Sequence, residues 1–533
     1  MIDRRSGVVS AWAPLAGAAF RMLWLAQLGS NIGTWMQSVG AQWYLVDAAA
    51  GSLLIALVQT ASLAPSLLFA VPAGVIADLF DRRRLILVFS LLSAVVAGAL
   101  TVVTVLGGLS PVALLAFTFV LGSLAAFTAP AWQAIQPELV PRDQISAASG
   151  LGSVTVNGAR AIGPALAGVI VSLAGPWSVF ALNALSFALA ALAVWRWRRP
   201  AQSGLDNPEI FTDALRAGIR YVASAALVRR ILLRSALFAL PASALWALLP
   251  LSAQRLGFQS AGYGLMLGAL GVGAVAGVFV LPLARRAMSD NAILAVSAAL
   301  FALGTAGAAW LPAIPTVLLL VAAGVAWIGT LTVLNAALQL TLPQWVRSRG
   351  VAVYLLVFMG SQAIGSVVWG WLGGVLSVST SLTIAAVALA AAAASVLLLP
   401  LRSGTGVIDR TIDFTWPTPT LIFDPDPSDG PVTIMVDYQV AGEHSEQFEQ
   451  AMRDVRSSRQ RTGASHWRLY RDGDSSDRYR ESFVVPSWGE FIRQNTERRT
   501  GRDREMMTNA LTFVSGAPVE SHFFPPRERL TRR

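Results

Sequence analysis

Residues able to do acid–base or ligand chemistry are scarce in this sequence and unevenly placed. The chain has no cysteine, which removes disulfides, thiol nucleophiles and cysteine metal sites. It has no lysine either, so a GxxxxGK phosphate loop and a Schiff-base amine are both excluded. Its three histidines, His444, His466 and His522, all lie near the C-terminal end. No metal site, cofactor site or catalytic constellation is expected, and the chain does not read as an enzyme. What remains is polarity embedded in apolar runs. Arg160 is the one charge deep inside such a run. An arginine at the centre of a bilayer costs about 2.5–3.5 kcal/mol on insertion scales, so it should face a wet cavity or a partner. Asn157 and Pro164 share its helical face. Arg160 can contact an anion or substrate, or lock a helix to a backbone carbonyl. Asn31, Thr34, Ser38 and Gln42 form a second polar stripe, with Trp35 beside it. Asn335 with Gln339, and Gln362 with Ser366, form shorter ones. Such stripes line a cavity or bond helix to helix. Trp246 and Trp327 are further cavity candidates, while most other tryptophans suit interface belts. Asp47 and Asp78 are the two carboxylate candidates for exchanging a proton at the apolar runs, and Asp47 also reads as an outside loop residue.

The elements that must position these residues follow from composition. Hydrophobic residues make up 55% and charged residues only 13% of the 533-residue chain, about half the charge of a soluble protein. The deficit is confined to residues 1–400, with 21 arginines and 10 acidic residues; residues 401–533 hold 19 and 20. Twelve apolar segments are long enough to cross a bilayer: 20–46, 53–77, 85–107, 111–133, 148–173, 177–195, 229–253, 261–284, 291–311, 314–341, 348–373 and 379–400. The first is too long for a signal peptide and lacks a small-residue cleavage site. The net charge of +10 and pI near 10.9 invite a nucleic-acid reading, but the arginines sit between apolar runs rather than on a soluble module. With the N-terminus inside, 19 of the 21 fall in or beside inside loops; only Arg255 falls outside and Arg160 within a helix. This asymmetry places both termini in the cytoplasm. The longest inside connection, 196–228, carries Phe211, Leu215, Ile219 and Val222 at the spacing of a surface helix.

The two halves repeat. Gly74 with Arg82 and Arg83 corresponds to Gly277 with Arg285 and Arg286, and Gly158-Ala-Arg160-Ala-Ile-Gly163 to Gly360-Ser-Gln362-Ala-Ile-Gly365. Gly168 and Gly370 extend the match. Parallel six-helix repeats with a substrate between them are a transporter architecture. Residues 74–84, GVIADLFDRRR, resemble the G-x-x-x-D-x-x-G-R-R/K signature of the major facilitator superfamily, with Asp81 standing at the later glycine. In that resemblance Gly74 permits close helix approach, and Asp78, Asp81, Arg82 and Arg83 form a charged inside gate. The run also reads as a positively charged topogenic loop. Gly163-Pro164-Ala-Leu-Ala-Gly168 resembles the Gly-Pro-x-x-x-Gly motif of the exporter and antiporter branches. Gly264, Gly268, Gly273 and Gly277 suit close helix packing.

Residues 401–430 read as a linker. Beyond it, 431–533 reads as a strand at 432–440, a helix at 442–462, two strands in 466–485, a helix at 487–514 and a strand at 519–524. That order suggests a ferredoxin-like α+β domain; it also resembles the small dimeric α/β-barrel monooxygenases, which implies possible pairing of two copies. Arg459 to Asp472, Glu481, Ser487-Trp488 and Arg493-Gln494, with Gly33-Thr34-Trp35-Met36-Gln37 at the start, resemble the enterobactin-exporter-like, or transmembrane secretion effector, branch. That branch carries two histidines near Trp488, where Phe491 and Asn495 stand in this chain. His466 reads as a buried, hydrogen-bonded core histidine or, with Trp467, as part of an enzyme pocket.

The expected domains are 1–195 and 229–400, two six-helix bundles; 196–228, the connecting loop; 401–430, the linker; and 431–533, the α+β domain. The resemblance implies a secondary exporter of a siderophore or hydrophobic drug-like compound, coupled to protons, in the inner membrane, with no nucleic-acid partner. An importer of the same fold, or a membrane-tethered enzyme or sensor acting through the tail, are the alternatives.

Overall fold

The computed structural model describes residues 10–197, 225–343, 346–401 and 421–526. The surface helix expected within 196–228 and most of the linker lie outside the described residues. The chain divides into two bodies. One groups 10–197 with 233–334 and 355–400; the other contains 225–232, 335–343, 346–354 and the tail.

Among the described residues of 18–394 there are twelve long helices: α1 (Ala18–Asp47), α2 (Ser52–Leu79), α3 (Arg82–Val105), α4 (Pro111–Ile135), α5 (Ile145–Ala174), α6 (Pro176–Arg196), α7 (Ala226–Arg255), α8 (Ser260–Ala287), α9 (Asp290–Trp310), α10 (Ala313–Thr341), α11 (Arg347–Val375) and α12 (Val378–Ala394). Ten are long and apolar enough to cross a membrane. The other two depart from simple apolar spans for identifiable reasons. α1 is long, but the glutamines, asparagine and hydroxyls between Gln27 and Gln42 dilute its hydropathy. α12 is apolar but only 17 residues long; after Ser395 caps back onto Ala392 the chain turns through Leu399, so the expected segment 379–400 is helical only in its first part.

Starts and stops follow local chemistry. Ser110, Ser289 and Ser377 accept a backbone N–H of the first turn of α4, α9 and α12, the usual role of a serine N-cap. Asp81 does the same for α3, accepting the Arg84 N–H at 2.8 Å. Gly175, with φ of 82°, separates α5 from α6 in a conformation that side-chain-bearing residues avoid.

The internal repeat is physical as well as textual. A Cβ at Gly163 of α5 would strike Trp35 of α1, and one at Gly365 of α11 would strike Leu240 and Ser243 of α7. Gly168 lies against Ser260 and Gly264 of α8; Gly370, its counterpart, lies against Leu53 and Ala56 of α2. Gly122 of α4 abuts α2 at Ser62, while Gly324 of α10 abuts α8 at Leu270. Each half therefore makes the same close approaches through equivalent glycines, which replace bulk where helix backbones must meet. The core runs across both halves, joining Met36, Trp43 and Phe180 to Leu245, Trp246, Tyr263 and Leu267.

The tail forms an antiparallel sheet in the order β2-β3-β1-β4, from β1 (Val432–Gln439), β2 (Ser465–Arg471), β3 (Arg478–Val485) and β4 (Val519–Phe523). Its helices are α13 (Ser445–Thr462), α14 (Trp488–Arg493) and α15 (Gly501–Leu511). This is the ferredoxin-like βαββαβ topology. Val432, Ile434, Val436 and Tyr438 alternate inward along β1. Phe448, Ala451, Met452 and Val455 form the matching stripe of α13. The single helix expected over 487–514 is divided. Arg498 turns inward onto Glu490, at 2.7 and 3.0 Å, and the Thr500–Asp503 capping box starts a new helix. His466 departs from both readings offered for it. It is exposed, with φ of 51°, at an irregularity in the β2–β3 register. Trp467 turns the other way and donates its indole N–H to the buried Glu481.

Candidate functional site

The polar stripe of α1 borders a cavity of about 720 Å³ inside the N-terminal half, lined by α1, α3, α4, α5 and α6. Asn31 and Thr34 contribute from α1, and Asn157 and Ser153 from α5. Ser90, Ser93, Thr128, Gln133 and Gln136 add to its polar lining, with Trp24 and Trp132 among the apolar members. None of the lining residues is charged. Several hydroxyls bond back to their own helix: Thr34 to the Ser30 carbonyl at 2.9 Å, and Thr128 to Leu124 at 2.8 Å. Asn157 donates to the Ser153 carbonyl at 3.0 Å. The volume falls within the range of pockets that hold drug-sized molecules.

The next turns of α1 and α5 carry Trp35 and Arg160. The Arg160 guanidinium lies over the Trp35 ring, 5.5 Å from its centroid. Trp35 is followed by Trp246 of α7 at 6.1 Å, Trp246 by Trp327 of α10 at 5.4 Å, and Trp327 by Phe358 of α11 at 5.6 Å. Phe238 and Phe301 close the other side of Trp327. The sequence treated these tryptophans as separate candidates; the tertiary structure joins them into one aromatic cluster spanning both halves. The backbone-carbonyl lock considered for Arg160 is not formed at its Nε, which is buried without a hydrogen-bond partner.

Beyond the cluster, towards the Asp47 end of α1, the halves are bonded together. Gln42 donates to the Trp246 carbonyl at 3.3 Å and accepts from the Tyr263 hydroxyl. Ser52 donates to the Gly370 carbonyl at 2.8 Å, and Thr60 to the Ala363 carbonyl at 3.0 Å. α5 and α8 cross on glycines: Gly264 lies against Pro164 and Gly168, Gly268 against Ala165, and Gly271 against Ala161. α5 continues as a helix through Pro164. Gly273 and Gly277 instead admit α10 at Val321 and Val325.

The remaining expected residues have other surroundings. Gly74 has open space where a Cβ would be, so it does not make the close helix approach expected of it. The Asp78 side chain lies outside the described residues. Asp81 caps α3. Arg82 pairs with Glu138 at 2.9 Å, an acid that follows α4 rather than one of the signature. Arg83 donates to the Val194 and Trp195 carbonyls at 3.1 and 2.6 Å, sealing the C-terminal end of α6. The signature thus ties α3 to its neighbours within one half. Asp47 is exposed at the last residue of α1. Gln362 is buried, and its carbonyl accepts from Ser366. Asn335 accepts from Gln339 at 2.7 Å in the second body, so this pair bonds along its own helix. Sequence reasoning missed the buried Gln37–Asn183 pair joining α1 to α6. The lone asparagine in the apolar α6 was the signal that could have found it.

The chain matches the family described as transmembrane secretion effector over residues 9–525. It is 30% identical to the Staphyloferrin A transporter of Staphylococcus aureus over 30% of this chain and 41% of that protein. It is 25% identical to the multidrug efflux pump Tap of Mycolicibacterium fortuitum over 67% of this chain and 87% of that protein. A 23% match to macrolide efflux protein A of Streptococcus pyogenes spans 33% of this chain and 43% of its relative. For two of these three curated relatives, then, the match spans less than half the relative's length. Among solved structures, a variant of the nucleoside transporter NupG superposes with a TM-score of 0.61 at 14% identity, covering 72% of this chain and 99% of that one. A bacterial homologue of the human lysosomal transporter Spinster, inward-facing and unoccupied, gives 0.56 at 14% identity, covering 72% and 94%. These likenesses show a major facilitator fold for the helical part. The match over nearly the whole chain, with its paired six-helix repeats and ferredoxin-like tail, makes this protein a member of the transmembrane secretion effector family of the major facilitator superfamily.

Proposed function

We propose that this protein is a secondary active transporter that exports a small organic molecule by alternating access, driven by protons. One observation carries the reading: the uncharged cavity of about 720 Å³ lies toward the end of the N-terminal half that bears Arg82–Arg84, whereas the halves are bonded together near the opposite end. With the arginine-rich face in the cytoplasm, as the charge asymmetry argues, this is an inward-facing arrangement ready to load from inside. The relatives whose names include efflux support the outward direction. A neutral, hydroxyl- and amide-lined cavity with tryptophans suits a large, partly apolar substrate. The test is counterflow and net flux in proteoliposomes of the full chain, using labelled siderophores and macrolides with and without a pH gradient. Saturable exchange that the gradient accelerates is expected. Exchange no faster than in protein-free vesicles for every compound would remove the reading, and exchange indifferent to the gradient would remove proton coupling.

A further inference from the structure

Building on the exporter reading, we propose that Arg160, Trp246 and Trp327 form an anion subsite, with Trp35 as its platform, that takes a flat, singly charged acceptor group of the substrate: an aromatic carboxylate or phenolate. Three buried donors have no hydrogen-bond partner: Arg160 Nε, Trp246 Nε1 and Trp327 Nε1. Native structures leave few such groups unmet, and each one calls for an acceptor. An indole nitrogen can only donate, and so can a guanidinium. The unmet capacity of the cluster is therefore all of one kind, and its complement is an oxygen-bearing anion. Trp35 covers one face of the guanidinium, leaving the in-plane N–H groups to meet a planar carboxylate, the strongest of such pairings.

The electrostatics point the same way. The cavity lining is uncharged, and the described residues offer Arg160 no carboxylate partner. Arg160 is not itself a lining residue but stands on the turn of α5 beyond Asn157, so an anionic group passing from the cavity to that turn meets a positive charge with no carboxylate partner among the described residues, while a cation meets repulsion. The ring geometry adds the requirement of flatness. Trp35, Trp246 and Trp327 follow one another at centroid spacings of 6.1 and 5.4 Å and inclinations of 44° and 67°, in ring-to-ring contact, so a flat aromatic group packs beside the cluster rather than between its members. Because the cluster draws on α1, α5, α7 and α10, an anion held there contacts both halves.

The experiment is equilibrium dialysis of the full chain in nanodiscs against three labelled probes of one shape: 1-naphthoate, 1-naphthamide and 1-naphthylmethylammonium. Naphthoate is expected to bind saturably and at least about tenfold more tightly than the amide, with the ammonium weakest, as a charge-assisted hydrogen bond implies. Arg160→Gln should erase the preference for naphthoate, while Arg160→Lys, which keeps the charge, should retain part of it. Trp246→Phe and Trp327→Phe keep a ring and remove a donor; each should weaken naphthoate about threefold to tenfold and leave the amide less affected. These two variants carry the test if the Arg160 variants fail to fold. Equal affinity for the three probes, or naphthoate binding unchanged in a stably folded Arg160→Gln protein, overturns the subsite. A protein that extrudes drug-like cations yet binds the probes equally loses the subsite and keeps the export reading. One that binds naphthoate as described but moves no compound keeps the subsite and loses the export reading.

Discussion

In the proposed alternating-access cycle, the α5–α8 crossing offers a direct way to shift the balance between the two orientations. A Cβ placed on Gly264 would fall 2.6 Å from the Pro164 carbonyl oxygen and 2.7 Å from the Gly168 Cα. Both are backbone atoms, so no side chain can swing aside to relieve the clash. Overpacking of this kind costs about 1–3 kcal/mol, and the cost falls only on the arrangement in which the halves meet at this end. Gly264→Val should therefore raise the ratio of the opposite arrangement by about fivefold to 150-fold. The chain contains no cysteine, so a single introduced thiol reports without background. Ser153→Cys, in the cavity lining, should react more slowly with a membrane-impermeant maleimide in the Gly264→Val background. Ser52→Cys, in the far-end contact, should react faster. Unchanged labelling at both sites, in protein that remains monodisperse, would falsify the assignment of this crossing as the closed end.

The remaining predictions concern separate parts of the molecule. Gly74→Ala should insert, fold and transport normally, because nothing lies within 4 Å of the added methyl and alanine is about 0.5–1 kcal/mol better than glycine inside a helix; loss of flux in a well-expressed variant would restore a packing role to Gly74. Arg160→Ala is expected to abolish export while leaving membrane insertion intact, and unaltered flux in vesicles would remove its proposed role. Arg498→Ala should destabilise the tail domain by about 3–5 kcal/mol, because it strips the main partner from the buried Glu490; peptide-resolved hydrogen exchange over 432–524 in the full chain measures this. The same method reads the acid limit. Burial by itself would raise the Glu490 carboxyl, but Arg498 and Arg493 outweigh it and hold the group below its ordinary range. Asp503 is likewise held low, against its burial, by Arg461, Ser458 and Thr500. Groups depressed in the folded state contribute fully above their unfolded pKa, near ~4, and the contribution is lost as pH falls through the lower folded value. Protection in the tail should therefore be flat from neutral pH down to the carboxylate range and collapse below it, and a loss beginning near pH 6 would contradict the assignment. Finally, deleting residues 431–533 should leave measurable flux if the helical body is the transporter, whereas complete loss from an inserted, folded protein would favour an activity residing in the tail.

Sequence alone determined the spans, the repeat and the tail topology, because each is written in a local or periodic signal. Apolar length against bilayer thickness located the helices, α1 included despite its polar stripe, and overran only at α12, whose helix ends at Ala394. The matching of Gly163, Gly168 and Arg82–Arg83 with their second-half counterparts marks two halves without reference to any contact. Alternation along Val432–Gln439 and the stripe on α13 fixed the ferredoxin-like order. The tertiary structure decided which of these residues meet. No spacing rule connects Trp35, Trp246 and Trp327, which lie on three helices in two halves, nor tells that Gly168 faces Gly264 while Gly74 faces nothing. Nor could local pattern anticipate that Arg82 would choose Glu138, or that His466 would point outward while Trp467 turned in to Glu481. Periodicity says which face of a helix is polar; only the arrangement of all the helices says what that face encounters, and the candidate site is made of such encounters.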